Sequence, residues 1–206
     1  KKRRIGIMCL NDAKPIFERM IDYIKSNNFL DDKNIYIIQL GSSSGRDLVF
    51  FLKIFPKLNY ISTDINNEIL DFQKEKYSYP NLNYFKCYAE DIDECISHFK
   101  ISDQNIILFS NGTLQYVNPY FLEEFFSKIK NYKNINLYLN EPVSLSFIDN
   151  SSLISLHRGG TQFSHRYDEY AKRFGLNMIS SKVIRPYSTD NKQHYDTGHF
   201  DLHIQS

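Results

Sequence analysis

The order of apolar and polar residues predicts helices that alternate with strands. Near the amino end, Phe17, Met20 and Ile24 recur at three- and four-residue spacing, which is the period of an amphipathic helix. The segment 35–40 is instead a short, nearly continuous apolar run, and Gly41 closes it. Such a run is typical of a strand buried on both faces of a parallel sheet.

The same alternation continues to the carboxyl end of the chain. Helices are expected at 46–55, 66–76, 93–99, 119–130 and 164–174, and strands at 35–40, 59–63, 82–88, 106–110, 135–140, 178–185 and 199–205. Strands that alternate with helices predict an α/β fold with a doubly wound, mostly parallel sheet of seven strands and helices on both faces. No helix separates the last two strands, so they should form an antiparallel hairpin.

The charge balance and the cysteine content argue against several classes of protein. The 206 residues include 25 basic and 24 acidic side chains, a balance that argues against binding to nucleic acid. No apolar run approaches the roughly 18 residues of a membrane span. Cys9, Cys87 and Cys95 are odd in number and lack CxxC spacing, which favours reduced thiols and a cytoplasmic protein. The oligomeric state stays open.

A loop of small residues joins the first strand to its helix. Residues 41–45, Gly-Ser-Ser-Ser-Gly, let the backbone turn tightly and approach a ligand closely. Asp64 ends the second strand, where a carboxylate can accept hydrogen bonds from both hydroxyls of a ribose. Its alternative role is to cap the helix that follows. Ligands of open α/β sheets bind at these carboxyl ends, so we expect a nucleoside-like ligand.

The loop matches phosphate-binding motifs poorly. In the dinucleotide pattern G-x-G-x-x-G, read from Gly41, the second and third glycines are replaced by Ser43 and Arg46. A Walker loop would need Gly-Lys-Ser/Thr where residues 46–48 read Arg-Asp-Leu. An NAD(P)-dependent oxidoreductase is therefore an alternative rather than the leading interpretation.

With the residues before it, the loop resembles the glycine motif of the class I, Rossmann-like S-adenosylmethionine-dependent methyltransferases. That motif is an acidic or polar residue followed by x-G-x-G-x-G, and here Gln39 replaces the usual acid and Ser43 the middle glycine. Segments 89–92, 110–116 and 140–142 resemble the family's segments after strands three, four and five. The closing hairpin resembles the family's antiparallel seventh strand, so the resemblance spans most of the chain.

The resemblance implies S-adenosyl-L-methionine as cofactor and S-adenosyl-L-homocysteine as product. It places the loop on the methionine moiety, Asp64 on the ribose and Ile65 beside the adenine. The implied cofactor-binding residues are Gln39, Gly41, Ser42, Ser43, Gly45, Asp64, Ile65, Ala89, Glu90, Asp91, Ser110 and Asn111. Residues 110–111 offer no carboxylate, so no catalytic metal is expected.

Methyl transfer requires the acceptor atom in line with the methyl carbon, and a hydroxyl acceptor also gains from a general base. Glu141 and His165 are the predicted catalytic bases, since both fall near the carboxyl edge of the sheet. Glu141 has the alternative of accepting backbone amides as a structural group, and a histidine is more often structural than catalytic. The predicted substrate-binding residues are Gln115, Tyr116, His157, Tyr167, His194 and Tyr195.

These observations predict one methyltransferase domain over residues 1–206. It comprises an amino-terminal helical segment at 1–30, a cofactor-binding core at 34–140, an irregular substrate loop at 143–163 and a closing helix with hairpin at 164–206. A tolerated surface loop is the alternative for 143–163. The predicted reaction is methylation of a small polar molecule at oxygen, such as a sugar or a surface-polysaccharide precursor. A non-catalytic cofactor-binding scaffold remains an alternative.

Overall fold

The computed structural model of the chain describes residues 10–185 and 196–206. The helices are α1 (Leu10–Ser26), α2 (Arg46–Ile54), α3 (Asn67–Lys76), α4 (Ile92–Phe99), α5 (Pro119–Ile129), α6 (Leu145–Asn150) and α7 (Tyr167–Arg173). The strands are β1 (Ile35–Leu40), β2 (Asn59–Asp64), β3 (Leu82–Lys86), β4 (Asn105–Asn111), β5 (Ile135–Ser144), β6 (Ser155–Gly159), β7 (Gln162–His165), β8 (Asn177–Ile184) and β9 (Thr197–Gln205). Cys9, His194 and Tyr195 lie outside the described residues.

The main sheet has seven strands in the order β3-β2-β1-β4-β5-β9-β8. Strands β1 to β5 pair in parallel, and β9 is antiparallel to both of its neighbours. The chain winds outward in one direction from β1 to β3 and then crosses back to β4, which lies on the other side of β1. This reversal opens a crevice at the carboxyl ends of β1 and β4, where ligands of such sheets bind. The predicted fold class and the closing hairpin are confirmed.

Two apolar layers cover the two faces of the sheet. On one face, Phe17 of α1, Phe51 of α2 and Phe109 of β4 pack together, with ring centroids 5.1 Å and 5.8 Å apart for successive pairs. On the other face, Phe126 of α5 stacks on Tyr170 of α7 at 5.5 Å. Side chains alternate between the two faces along a strand, so each buried strand contributes apolar side chains to both layers. This explains the continuous apolar runs in the sequence.

The predicted irregular stretch at 143–163 is wrong as a description of structure. Strand β5 continues to Ser144 because β9 pairs with it beyond the last contact with β4. Helix α6 follows, and β6 and β7 form a separate hairpin that turns at Gly160 and Thr161. The Arg166 side chain, which the prediction placed inside a helix, donates to the carbonyl oxygens of Ile148 and Ser151 at the end of α6. Because Ser164 and His165 pair with β6 as part of β7, α7 begins at Tyr167 rather than at position 164.

An ion pair attaches helix α1 to strand β9 of the sheet. The Arg19 guanidinium pairs with both carboxylate oxygens of Asp201 on β9, and Asp201 is 1% exposed. A buried carboxylate requires such a partner, so this pair sets where α1 lies on the sheet. Within the described residues, no helix has the length and apolar character needed to cross a membrane.

Candidate functional site

The loop after β1 alternates left-handed residues with ordinary ones. Gly41, Ser43 and Gly45 have φ angles of 59°, 49° and 73°. A side chain at Gly41 would place its Cβ 2.3 Å from Thr113 Cγ2, so only glycine fits there. Ser43 holds the same conformation at a cost that a glycine would avoid. The loop therefore keeps the glycine-motif backbone although its middle glycine is missing.

A buried glutamine on α3 holds this loop in place. Gln73 is 1% exposed, and its Nε2 donates to Ser42 Oγ at 2.8 Å and to the Ser43 carbonyl at 2.7 Å. Its Oε1 accepts from Ser62 Oγ of β2 at 2.6 Å. Sequence reasoning missed Gln73 because nothing local distinguishes it from other polar residues of the helix. These bonds compensate for the strained conformation of Ser43.

Asp64 lies at the end of β2, and each of its carboxylate oxygens accepts one backbone hydrogen bond. Its Oδ2 accepts from the Ser43 amide at 3.1 Å and its Oδ1 from the Asn66 amide at 3.0 Å. The cap of α3 is Asn66, whose side chain accepts from the Glu68 amide. Each oxygen of Asp64 retains lone-pair capacity for a further donor. Asp64 therefore orients the loop and still presents an acceptor to a ligand.

An apolar cavity of about 470 Å³ lies at the carboxyl ends of β1, β2 and β3, and Asp64 forms part of its wall. Ile65, Tyr88, Tyr116 and Phe121 stand at its edge with 43% to 56% of their surface exposed. Large apolar side chains that face solvent around a concave site indicate a place for an apolar ligand group. The apolar and aromatic lining suits a planar ring system.

A second, polar cavity of about 600 Å³ lies on the other side of the loop. Gln39, Ser42, Asp47 and Asn111 are among its lining residues. The two cavities share Gly41, Thr113 and Tyr116, so they adjoin along the crevice. Sequence reasoning missed Asp47, whose position in the first turn of α2 had an ordinary explanation as a helix-stabilising acid. Thr113 lies within the predicted segment 110–116 but was not among the predicted site residues.

The predicted cofactor-binding residues divide by position. The two cavities are lined by Gln39, Gly41, Ser42, Ser43, Asp64, Ile65, Ala89, Glu90 and Asn111. Gly45, Asp91 and Ser110 line neither cavity. Gly45 has no room for a side chain because Gln73 Oε1 would lie 2.8 Å from its Cβ. Asp91 forms an ion pair with Lys128, and Ser110 is fully buried. The contacts of these three residues within the protein indicate structural roles rather than contact with a ligand.

Glu141 is completely buried and holds the turn that follows β4. Its carboxylate accepts from Ser110 Oγ at 2.5 Å and from the amides of Thr113 and Gln115 at 3.1 and 3.2 Å. Burial raises the pKa of Glu141 to about 7. It lines neither cavity, so this geometry favours the structural alternative over the predicted role as a base. Through its bonds Glu141 positions the turn that separates the two cavities.

His165 is also completely buried, and both ring nitrogens have partners. Nε2 donates to the Val117 carbonyl at 3.1 Å, which leaves Nδ1 to accept from Ser155 Oγ at 2.7 Å. Burial lowers the pKa of His165 to about 4, so the ring is neutral at physiological pH. A base must reach the acceptor, and this ring instead fastens the β6–β7 hairpin to the segment after β4.

The predicted substrate-binding residues are dispersed. Tyr116 lines both cavities, whereas Tyr167 is fully buried. Gln115 is 5% exposed and accepts from Arg158 of the hairpin at 2.7 Å. His157 is exposed, with Nε2 3.0 Å from the Gly160 carbonyl. Of these positions, the structure brings Tyr116 alone to the cavity walls, as far as the described residues extend. In the same part of the chain, no three side chains of histidine, cysteine, aspartate or glutamate cluster as metal ligands would.

Solved structures of S-adenosylmethionine-dependent methyltransferases are similar to this chain. One from Anabaena variabilis is 12% identical over 92% of this chain and 84% of that chain, with a TM-score of 0.61. One from Clostridium acetobutylicum is 14% identical over 96% and 92%, with a TM-score of 0.58.

A third similar structure is the geranyl diphosphate C-methyltransferase of Streptomyces coelicolor, solved with Mg²⁺, geranyl diphosphate and S-adenosyl-L-homocysteine. It is 11% identical over 100% of this chain and 89% of that chain, with a TM-score of 0.57. No protein-family model matches the chain, and no curated protein matches its sequence. At these identities the likeness establishes the fold, and the activity must be argued from the site.

Proposed function

We propose, from the class I methyltransferase fold that the chain shares with these structures, that it binds S-adenosylmethionine and transfers the methyl group to a small molecule. The observation that carries the proposal is the placement of Asp64. Its carboxylate is fixed by the Ser43 and Asn66 amides on the wall of the apolar cavity, directly beside the loop that borders the polar cavity.

The residues present fit this cofactor. Ile65 and Tyr88 offer apolar surface for an adenine ring at the apolar cavity, and Asp64 can accept from ribose hydroxyls. Gln39 and Asp47 of the polar cavity suit the amino-acid end. The cofactor supplies an activated methyl group on a sulfonium. The chain's contribution is to bind it, to orient it and to hold the acceptor in line with it.

The acceptor is proposed to be a small polar molecule. Cavities of about 470 and 600 Å³ have the size of small-molecule sites. Tyr116, at the edge of both, is the residue best placed to contact an acceptor. The preference for an oxygen acceptor depended on Glu141 and His165 as bases. Because both are buried and hydrogen-bonded, the proposal assigns no acceptor atom and no base.

The oxidoreductase alternative accounts for less of the structure. Dinucleotide-binding sheets are built from two parallel halves, whereas β9 here is antiparallel between β5 and β8. A non-catalytic cofactor-binding scaffold would keep the left-handed backbone at Ser43 as an enzyme does. Turnover with an acceptor, rather than cofactor binding, separates these two.

Calorimetric titration with S-adenosylhomocysteine tests the proposal. The wild type should bind, and Asp64→Ala should lose about 1.5–3 kcal/mol of binding free energy because charge-assisted hydrogen bonds to the ribose are removed. Asp71→Ala, which removes an exposed carboxylate of α3, is the matched control and should bind like the wild type. Absence of wild-type binding, or thermal stabilisation by NADH instead, would overturn the proposal.

A further inference from the structure

The β6–β7 hairpin is attached to the turn that separates the two cavities. Arg158 Nη2 donates to Gln115 Oε1 at 2.7 Å, and Gln115 Nε2 donates to the Gly112 carbonyl at 2.9 Å. On the same hairpin, Gln162 Nε2 lies 3.5 Å from Tyr116 Oη. Gly112 lines the polar cavity, and Tyr116 lines both cavities. A single side-chain amide, that of Gln115, therefore separates the Arg158 guanidinium from the cavity wall.

The protein leaves most of this guanidinium without an acceptor. A guanidinium has five N–H donors. Within residues 10–185 and 196–206, the side chain of Arg158 makes one hydrogen bond, to the neutral oxygen of Gln115, and no ion pair. The residue is half-buried, and its Nε is buried with no hydrogen bond. A cation that is partly removed from water needs an opposite charge, so Arg158 has unused capacity to bind an anion.

The neighbouring groups do not supply that negative charge. Tyr167 is fully buried, and its hydroxyl has no hydrogen bond. Burial raises the pKa of Tyr167, the charge of Glu141 raises it further and Arg158 opposes the rise, so the three groups lie near one another. The Glu141 carboxylate accepts instead from Ser110 and from the Thr113 amide. Two buried donors on this side of the turn, Arg158 Nε and the Tyr167 hydroxyl, thus lack an acceptor in the part of the chain that the structure describes.

We propose that the methyl acceptor carries an anionic group, a carboxylate or a phosphate, and that Arg158 binds this group. The inference rests on the function proposed above and names the class of acceptor. The planar guanidinium presents pairs of N–H groups that match two oxygens of either anion. An acceptor held in this way lies beside Tyr116, the aromatic residue that borders both cavities.

The two buried residues described above fix Arg158 in position. Glu141 accepts from the Gln115 amide at 3.2 Å, and Gln115 is the residue that Arg158 contacts. His165 joins the hairpin to the Val117 carbonyl. The arginine is therefore oriented by the protein itself, which lowers the entropic cost of binding a ligand. The positive sulfonium of the cofactor would also attract an anionic acceptor to this side of the site.

The test measures anion binding to protein saturated with S-adenosylhomocysteine, by the rise in melting temperature during titration. Inorganic phosphate and succinate are the two anionic probes. The controls are 1,4-butanediol, the neutral counterpart of succinate, and sodium chloride at matched ionic strength. The wild type should be stabilised by at least one anion and by neither control. A stronger effect of phosphate would indicate a phosphorylated acceptor, and a stronger effect of succinate a carboxylic acid.

Arg158→Gln should weaken binding of the preferred anion about 10- to 100-fold, because charge-assisted hydrogen bonds are removed. Its affinity for S-adenosylhomocysteine, measured by calorimetry, should match that of the wild type. Arg173→Gln makes the same change in net charge at an exposed position of α7. This matched control should bind both the anion and S-adenosylhomocysteine like the wild type.

A second variant keeps the proposal falsifiable if Arg158→Gln does not fold. Arg158→Lys keeps the charge but loses the planar pair of donors, so it should weaken the anion about 3- to 10-fold. Wild-type protein that does not bind S-adenosylhomocysteine would overturn the proposed function and this inference together. Wild-type protein that binds S-adenosylhomocysteine but no anion, or Arg158 variants that bind the anion as tightly as Arg173→Gln, would overturn only the role of Arg158. Equal loss of both ligands in the Arg158 variants would show a purely structural role instead.

Discussion

Two regions at the carboxyl edge of the sheet contain similar polar side chains but use them differently. At the ends of β1 and β2, Asp47 and Asp64 line cavities and keep acceptor capacity for a ligand. At the end of β5 and on the β6–β7 hairpin, Glu141 and His165 are fully buried and engaged with the protein itself. A titratable residue at the functional edge of a fold is therefore not enough to indicate catalysis.

The difference lies in how completely the protein satisfies each group. Asp64 receives one backbone amide on each oxygen and remains open on the side of the cavity. Glu141 receives a hydroxyl and two amides with no exposed surface, and both nitrogens of His165 are used. The first region is built to bind, whereas the second holds in place the segment after β4 that the binding region needs.

Removing His165 should give the largest effect. His165→Ala leaves the Val117 carbonyl without its donor, leaves Ser155 Oγ with Tyr170 as its remaining partner and opens a cavity, so we expect a loss of about 4 kcal/mol in the free energy of unfolding, measured in urea. His157→Ala on the same hairpin removes an exposed ring and should cost less than about 0.5 kcal/mol. Equal stability of the two variants would contradict the structural role and restore His165 as a candidate base.

The pH dependence of stability should separate Glu141 from an exposed carboxylate. Its pKa is raised from 4.5 to about 7 by burial, so the folded state holds a proton that the unfolded state has released. The contribution is fully present below pH 4.5 and is lost as pH rises through about 7.

Relative to Glu141→Gln, the wild type should therefore lose about 3 kcal/mol of unfolding free energy between these pH values. Denaturant unfolding of both proteins across pH 4.5 to 8 measures this difference. Burial keeps His165 and His203 neutral in the folded state, so they lower the free energy of unfolding as the pH falls from 6.5 toward 4. This trend is opposite to that of Glu141. Their contribution cancels in the comparison with the variant. A pH-independent difference would contradict the inferred environment of Glu141.

The smallest effect concerns the loop of the binding region. Ser43→Gly should raise the free energy of unfolding by about 1 kcal/mol, because glycine adopts the left-handed conformation without the cost of a side chain. Ser44→Gly, one position along and outside the left-handed region, should instead lose about 0.5–1 kcal/mol. Thermal unfolding of both variants measures the pair. A loss of stability in Ser43→Gly would show that the serine side chain itself stabilises the loop.

Much of the fold could be predicted from the sequence because it depends on local properties. The predicted strand at 135–140 and helix at 119–130 correspond to β5 and α5 with shifts only at their ends. Apolar periodicity reports which face of an element is buried, and a chain of alternating strands and helices has few ways to pair. The segment 145–165 was not predicted, since α6 and the β6–β7 hairpin are short and depend on contacts such as those of Arg166.

For the site, the sequence by itself determined the loop after β1 and the carboxylate of Asp64, because small residues and strand ends restrict the backbone locally. Only the tertiary structure decided that Gln73 holds the loop, that Asp47 stands beside Gln39, and that Glu141 and His165 are buried. Each of these outcomes depends on partners from other elements, such as Gln73 with Ser43 and Glu141 with Thr113. Periodicity and composition do not show which residues far apart in the sequence come into contact. Those contacts determine which side chains are buried and which hydrogen bonds form.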